Sequence, residues 1–383
     1  MMYRVQNEKH PGRNRFFELR QVTERFCQDT RADYTATLDA LCWLALERGS
    51  SAPGCYEGWG CHNPEDRVQN PGLNLMSAAT YLGNIKLVRE LLKEGHCPTM
   101  DNFLFPSPLQ LAAWTGNRDM LQLLQEYLPE YEEVLPRGSR WWRNWRAKVG
   151  PGSIRGAAMR GDMDILRLAI YPPSRSSQDN TSFEKQPYGD VDPLSKTGSD
   201  LHDALYCAKN WDVFQYIDSF FRKSALSSER ESAALLARYT ELGNTEMVRH
   251  LLDTGVDINA GVDMRNYNPL MIASRYGHEA VVDLLLERGA EAEYSKLQRG
   301  VCPLRAATSA GSIYIVRKLL AHGASYASFR WEPILIALQL EHTALVELIL
   351  DRGRWTEEQL RAMARRQRDN GMESMASFLL SKI

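Results

Sequence analysis

Two stretches, NPLMIASRYGHEAVVDLLLERGA at 268–290 and CPLRAATSAGSIYIVRKLLAHGA at 302–324, carry one pattern written twice. Pro269, Leu270, Ala273, Gly277, Val282, Leu285, Leu286, Gly289 and Ala290 are matched, 34 positions later, by Pro303, Leu304, Ala307, Gly311, Val316, Leu319, Leu320, Gly323 and Ala324. In each copy a Pro opens an apolar segment and a Gly closes it. A second apolar segment follows, with residues at i, i+3 and i+4, and another Gly ends it. The spacing predicts helix, tight turn, helix, turn.

Pro at the first helical position lacks an N–H that would have no helical partner there. Ala273 and Ala307 are small enough for two antiparallel helices to approach, and the glycines accept the positive φ of helix ends. Leu285, Leu286, Leu319 and Leu320 then face a neighbour. One helix pair cannot bury such a face alone, so the unit requires a stack.

The period, the form Pro-Leu-x-x-Ala-x-x-x-Gly and the Leu-Leu and Gly-Ala that follow resemble the ankyrin repeat. The resemblance implies an all-α solenoid of helix pairs whose first helices line an inner, concave side. In that family the inner side and the hairpin tips contact partners.

Outward from this stretch the template recurs. Counting turns at Gly83, Gly116, Gly161, Lys209, Gly243, Gly277, Gly311, Glu341 and Gly371 gives about nine helix-pair repeats with two insertions in the middle. The unit from Asn74 to Gly95 lacks the opening Pro, Lys209 and Glu341 stand where a turn glycine belongs, and another unit runs from Ala234 to Gly255. The expected organisation is an N-terminal helical cap and Gly/Pro-rich connector (1–72), repeats (73–126), a Trp/Arg-rich insertion (127–152), one repeat (153–171), a polar mobile loop (172–200), repeats (201–353) and a C-terminal capping repeat (354–383). In the cap, Leu38, Leu41, Trp43, Leu44 and Leu46 are read as one amphipathic helix. The 172–200 loop has almost no aliphatics and cannot bury enough surface to order itself. Thr356 and Gln359 form a candidate capping box, and Arg361, Arg365, Arg366 and Arg368 would give the terminal repeat a polar outer face.

A net charge of −2 over 383 residues argues against polyanion binding by the molecule as a whole, which makes nucleic acid an unlikely partner. No apolar run is long enough to span a bilayer, and the seven cysteines are odd in number and irregularly spaced, which suits reduced thiols. The expected location is cytoplasm or nucleus. Cys55, Cys61, His62 and Cys97 have the wrong spacing for a structural zinc site, and no metal or cofactor is expected. No phosphate loop, dinucleotide glycine motif or nucleophile elbow occurs, so no catalytic residue is assigned.

The resemblance implies that residues two and six positions after each opening residue are exposed on the inner face: Ser77 and Tyr81, Gln110 and Trp114, Arg155 and Met159, Met271 and Arg275, Arg305 and Ser309, Leu335 and Gln339. From these and the hairpins, the partner-binding candidates are Tyr81, Phe103, Phe105, Trp114, Met159, Tyr267, Arg275, Arg305, Phe329, Arg330 and Trp331. Aromatic residues and arginines supply most interface hot spots. The competing reading packs Tyr81 and Trp114 against inserted residues. Trp141, Trp142, Arg143 and Trp145 join the candidates, with docking to an acidic protein, an anionic membrane or single-stranded nucleic acid open. Against these stands a plug for the groove where the register breaks.

The expected function is protein–protein interaction, as a scaffold binding a macromolecule through the groove and hairpin tips. The alternative is an enzyme with a small-molecule pocket between the groove and the irregular middle; an enclosed cavity with a displaced pKa would mark it.

Overall fold

A computed structural model of the chain describes residues 15–51, 70–100, 104–128, 152–171, 196–221, 223–261, 267–293, 302–324, 332–352 and 355–383. These residues contain twenty α-helices, one short 3-10 turn and no strand. They belong to two compact units, Met1–Ala225 and Leu226–Ile383.

The first unit holds α1 (Arg15–Thr30), α2 (Tyr34–Ser51), α3 (Pro71–Tyr81), α4 (Ile85–Lys93), α5 (Pro108–Thr115), α6 (Arg118–Glu126), α7 (Ser153–Arg160), α8 (Met163–Ile170), α9 (Lys196–Leu205) and α10 (Trp211–Asp218). The second holds α11 (Glu229–Glu241), α12 (Thr245–Asp253), α13 (Pro269–Tyr276), α14 (Glu279–Glu287), α15 (Pro303–Ser309), α16 (Ile313–Ala321), α17 (Glu332–Gln339), α18 (Thr343–Arg352), α19 (Glu357–Asp369) and α20 (Glu373–Leu380). After the cap pair α1–α2, the helices from α3 to α20 make nine pairs. First helices touch first helices along each unit, α1 to α9 and α11 to α17, and in the second unit the second helices α12 to α18 form the other layer. This is the all-α repeat architecture that the doubled pattern implies.

Most turns share one chemistry, although His278 and Met372 precede their helices without a side-chain cap. In the 268–290 copy the Asn268 side chain accepts from the Met271 N–H at 2.9 Å and caps α13. Gly277 then takes φ 74°, and the His278 N–H reaches back to the Ala273 carbonyl at 3.0 Å, closing the helix with a Schellman bond. The second helix starts on a polar residue just after the glycine: Asn84, Asn117 and Asn244 each accept an N–H three residues on, at 3.0–3.1 Å. On the first helix α15 the cap is Cys302, whose Sγ accepts from the Arg305 nitrogen at 3.3 Å. The Thr356–Gln359 capping box is formed.

Several expectations change. The position that the template gives the opening Pro, eight residues before Gly83, is Leu75, but α3 starts four residues earlier, at Pro71, capped by Asn70. The unit placed at Ala234 begins at Glu229 behind the Ser228 cap. On α2, Leu38, Leu41, Leu44 and Ala45 are buried, but Trp43 is 60% exposed and Leu46 50%. Residues two positions after the opening are not uniformly exposed: Ser77, Gln110 and Met271 are buried. First helices lie side by side, so this position meets neighbouring chain; the Ser77 hydroxyl donates to the Pro106 carbonyl at 3.1 Å. Leu285 and Leu319 are fully buried, while Leu320 is only half-buried.

Gly156 shows how close the first helices come. A Cβ added there would lie 2.2 Å from the Gln110 carbonyl oxygen and 3.1 Å from the Trp114 nitrogen, both backbone atoms that cannot swing aside. Gly156→Ala is expected to push α7 off α5 and lower stability by about 1–3 kcal/mol, as overpacking does. An unchanged urea midpoint would show that the helices separate at no cost.

In the second layer of unit 2, the Tyr314 hydroxyl donates to Asp283 at 2.6 Å and Lys318 Nζ lies 3.0 Å from the other carboxylate oxygen. Burial works against ionisation of Asp283, but the Tyr314 hydroxyl and the Lys318 ammonium outweigh it and hold the carboxyl below its usual range. A depressed folded pKa contributes stability above the unfolded value of about 3.9, and this is lost as pH falls through the folded value. Asp283→Asn is therefore expected to lower the urea midpoint at neutral pH. The gap to the parent should close in acid, and a pH-independent gap would contradict the linkage.

Candidate protein-binding face

The residues two positions before each turn glycine are accessible, because they sit at the end of the first helix rather than in its packed middle. In unit 1 they are Tyr81, Trp114 and Met159, each two residues before a turn glycine and each half-buried. The Tyr81 and Trp114 rings stack with centroids 6.3 Å apart and planes at 30°. Gln110 Nε2 lies 3.8 Å from the Met159 sulfur, so the row continues onto α7. Tyr81 and Trp114 also pack on a core of Leu19, Leu38, Leu41, Ala78, Phe105 and Leu111. The rings are thus held from below and leave their upper surface to solvent.

Beside Trp114 and Met159 an open depression of about 450 Å³ is lined also by Arg160, Gly161, Asp162 and Lys209. Arg160 is fixed: its Nη1 donates to the Thr115 carbonyl at 2.8 Å and to the Trp114 carbonyl at 3.4 Å, while Nε lies 3.6 Å from the Asp162 carboxylate. Gly116 makes room for it, since a Cβ there would sit 2.2 Å from the guanidinium carbon. Asp162 caps α8, accepting from the Asp164 and Ile165 N–H groups at 2.9 and 3.2 Å. The Ile165 N–H above all, with the Asp164 N–H and Arg160, lowers its pKa. Its carboxylate is engaged in structure.

The remaining candidates separate. Phe105 was expected at a hairpin tip for a partner; it is fully buried in the unit 1 core instead. Tyr267 and Arg305 are half-buried and Arg275 is exposed, all in unit 2. Phe103, Trp141, Trp142, Arg143, Trp145, Phe329, Arg330 and Trp331 lie outside the described residues, as do Cys55, Cys61 and His62. Among the described residues, no group of three or more His, Cys, Asp or Glu side chains converges to hold a metal ion. Nor is any helix there long and apolar enough to cross a membrane. Arg160, Asp162 and Tyr276 were not among the candidates. Their signal was their place beside a turn glycine, where a helix must end and its last side chains face out.

The family model for ankyrin repeats (3 copies) matches residues 201–296. The chain is 39% identical over 98 residues to the putative ankyrin repeat protein FPV031 of fowlpox virus, covering 25% of this chain and 28% of that one. It is 43% identical over 60 residues to the ankyrin repeat-containing protein YIL001W of Saccharomyces cerevisiae, 16% of this chain and 12% of that protein. With the glycerophosphocholine phosphodiesterase GDE1 of Candida albicans it shares 32% identity over 124 residues, 31% of this chain and 11% of that one. The chain thus spans less than a third of the length of each of these relatives. The doubled 34-residue unit, the glycine-turned helix pairs and these matches agree: the chain contains ankyrin repeats.

Proposed function

We propose that the chain is an interaction scaffold whose unit 1 first-helix face, centred on Tyr81, Trp114 and Met159, binds a partner protein. Ankyrin repeats in general mediate protein–protein interaction. The observation that supports this face is the Tyr81–Trp114 stack, two large rings pinned on one side and open on the other. A preorganised aromatic surface gives contact area with little ordering cost. The depression beside it is open, and its acid, Asp162, is spent on a helix cap, which favours a protein ligand over a small substrate.

Trp114→Ala is expected to weaken the partner's binding by about thirty-fold, the effect of losing a hot spot of ~2 kcal/mol. The test is affinity capture from the native cell with parent, Trp114→Ala and Trp43→Ala chains, followed by titration of the captured protein. Trp43, exposed on the cap, serves as the control. A partner that binds the Trp114→Ala chain undiminished would remove this face from the account.

A further inference from the structure

The cap helix α2 buries one side and leaves the other bare. Leu38, Leu41, Cys42, Leu44 and Ala45 are buried, whereas Ala36, Asp39, Trp43 and Leu46 are exposed, Trp43 at 60% and Leu46 at 50%. A capping element normally turns a polar side to water, and two large apolar side chains break that rule here. The four exposed residues follow one another at intervals of 3, 4 and 3, so they form one seam along the helix, at the a and d positions of a heptad. Ala40, half-buried, lies beside it.

The seam is its own complement. Its first half, Ala36 and Asp39, is small, and its second half, Trp43 and Leu46, is large. Against a second copy running the opposite way, with a two-fold axis at the level of residue 41, Ala36 faces the second copy's Leu46 and Asp39 faces its Trp43. Large side chains then meet small ones, which lets two helices close to about 8–10 Å. The polar atoms match as well. The indole N–H of Trp43 is a donor only and the Asp39 carboxylate an acceptor, and among the described residues Asp39 forms no ion pair. A two-fold axis makes each of these contacts twice. A foreign helix has no reason to be small where this one is large; a second copy, reversed, is so by construction.

We propose that the chain self-associates through this seam, α2 antiparallel to α2 of a second copy, each Trp43 packing on the other's Ala40 and donating to its Asp39. The seam, about 15 Å long on one helix, covers only part of the ~800 Å² per partner that a stable interface buries. The dimer is therefore weak, with a dissociation constant on the order of 10–100 µM. The partner titration that has Trp43→Ala as its control runs at chain concentrations roughly 100-fold lower, where the parent is monomeric and Trp43 meets only water.

Sedimentation velocity of the full chain, over a roughly 100-fold concentration range spanning that constant, should show monomer passing to dimer. Trp43→Ala should weaken association at least about ten-fold, one anchor being lost twice. Leu46→Ala leaves a hole and Ala36→Leu overfills one, so each should weaken it by about five-fold or more. The double variant Ala36→Leu with Leu46→Ala exchanges the two side chains and should return to within about two-fold of the parent. Residues 36 and 46 stand about 15 Å apart on their own helix and cannot touch, so only an antiparallel second copy lets one substitution repair the other. The substituted residues are all exposed, so each variant should keep the parent's urea midpoint. The proposal is overturned if the chain stays monomeric across the range, if Trp43→Ala associates as tightly as the parent, or if the double variant is as weak as the singles. It is overturned equally if a photo-crosslinking group at position 40 links the chain in its native cell to a different protein and never to a second copy.

Discussion

Phe105→Ala is expected to lower the stability of unit 1 by about 3–5 kcal/mol, the usual cost of deleting a buried aromatic side chain. Phe105 is fully buried and sits among Leu19 of α1, Leu38 and Leu41 of α2, Ala78 of α3 and Leu111 of α5. It thereby joins the cap pair to the first two repeats. A cavity at such a junction cannot be closed by moving one helix, because four converge on it. Urea unfolding followed by circular dichroism should show a lower midpoint, and Phe105→Leu, which keeps much of the volume, should recover most of it. If Phe105→Ala left the midpoint in place, the side chain would be at the surface, where the bare hairpin pattern puts it.

That pattern explains what could be read from residues alone. Gly277 and Gly311 mark turns because only a residue tolerant of positive φ ends a helix so abruptly, and Leu285 and Leu319 mark a buried stripe because their spacing matches the helical period. These are local facts, and they fix helix pairs. What they do not contain is which neighbour covers a side chain. Ser77 and Met271 lie on the accessible side of an isolated pair and are buried only when the next first helix arrives. Phe105 likewise depends on α1 and α2, far away in sequence. Pro71 lies outside the repeat pattern, whose opening position is Leu75, because α3 extends four residues beyond that position at its start. The row Tyr81, Trp114, Met159 was legible because it depends on period and turn position. Arg160 was not, since its place follows from carbonyls that the preceding repeat leaves unpaired.

Leu285→Ala and Leu319→Ala are each expected to cost about 2–5 kcal/mol, while Leu320→Ala should cost under about 2. Leu285 and Leu319 occupy the same position in adjacent repeats and are both fully buried, whereas Leu320 is half-buried at the end of α16. The order of the three tests more than burial. In a repeat array each unit is stabilised mainly by its neighbours, so a cavity in α14 weakens the flanking pairs α11–α12 and α15–α16 along with its own. Hydrogen exchange should then show Leu285→Ala loosening amides in the flanking repeats as well as between 269 and 287. Because α14 and α16 touch, the double variant should cost less than the sum of the singles, the second cavity opening in an interface already relaxed. Strict additivity would mean that the two leucines seal separate compartments, and equal costs at Leu319 and Leu320 would mean that the leucine pair is buried by something other than the neighbouring helix pair.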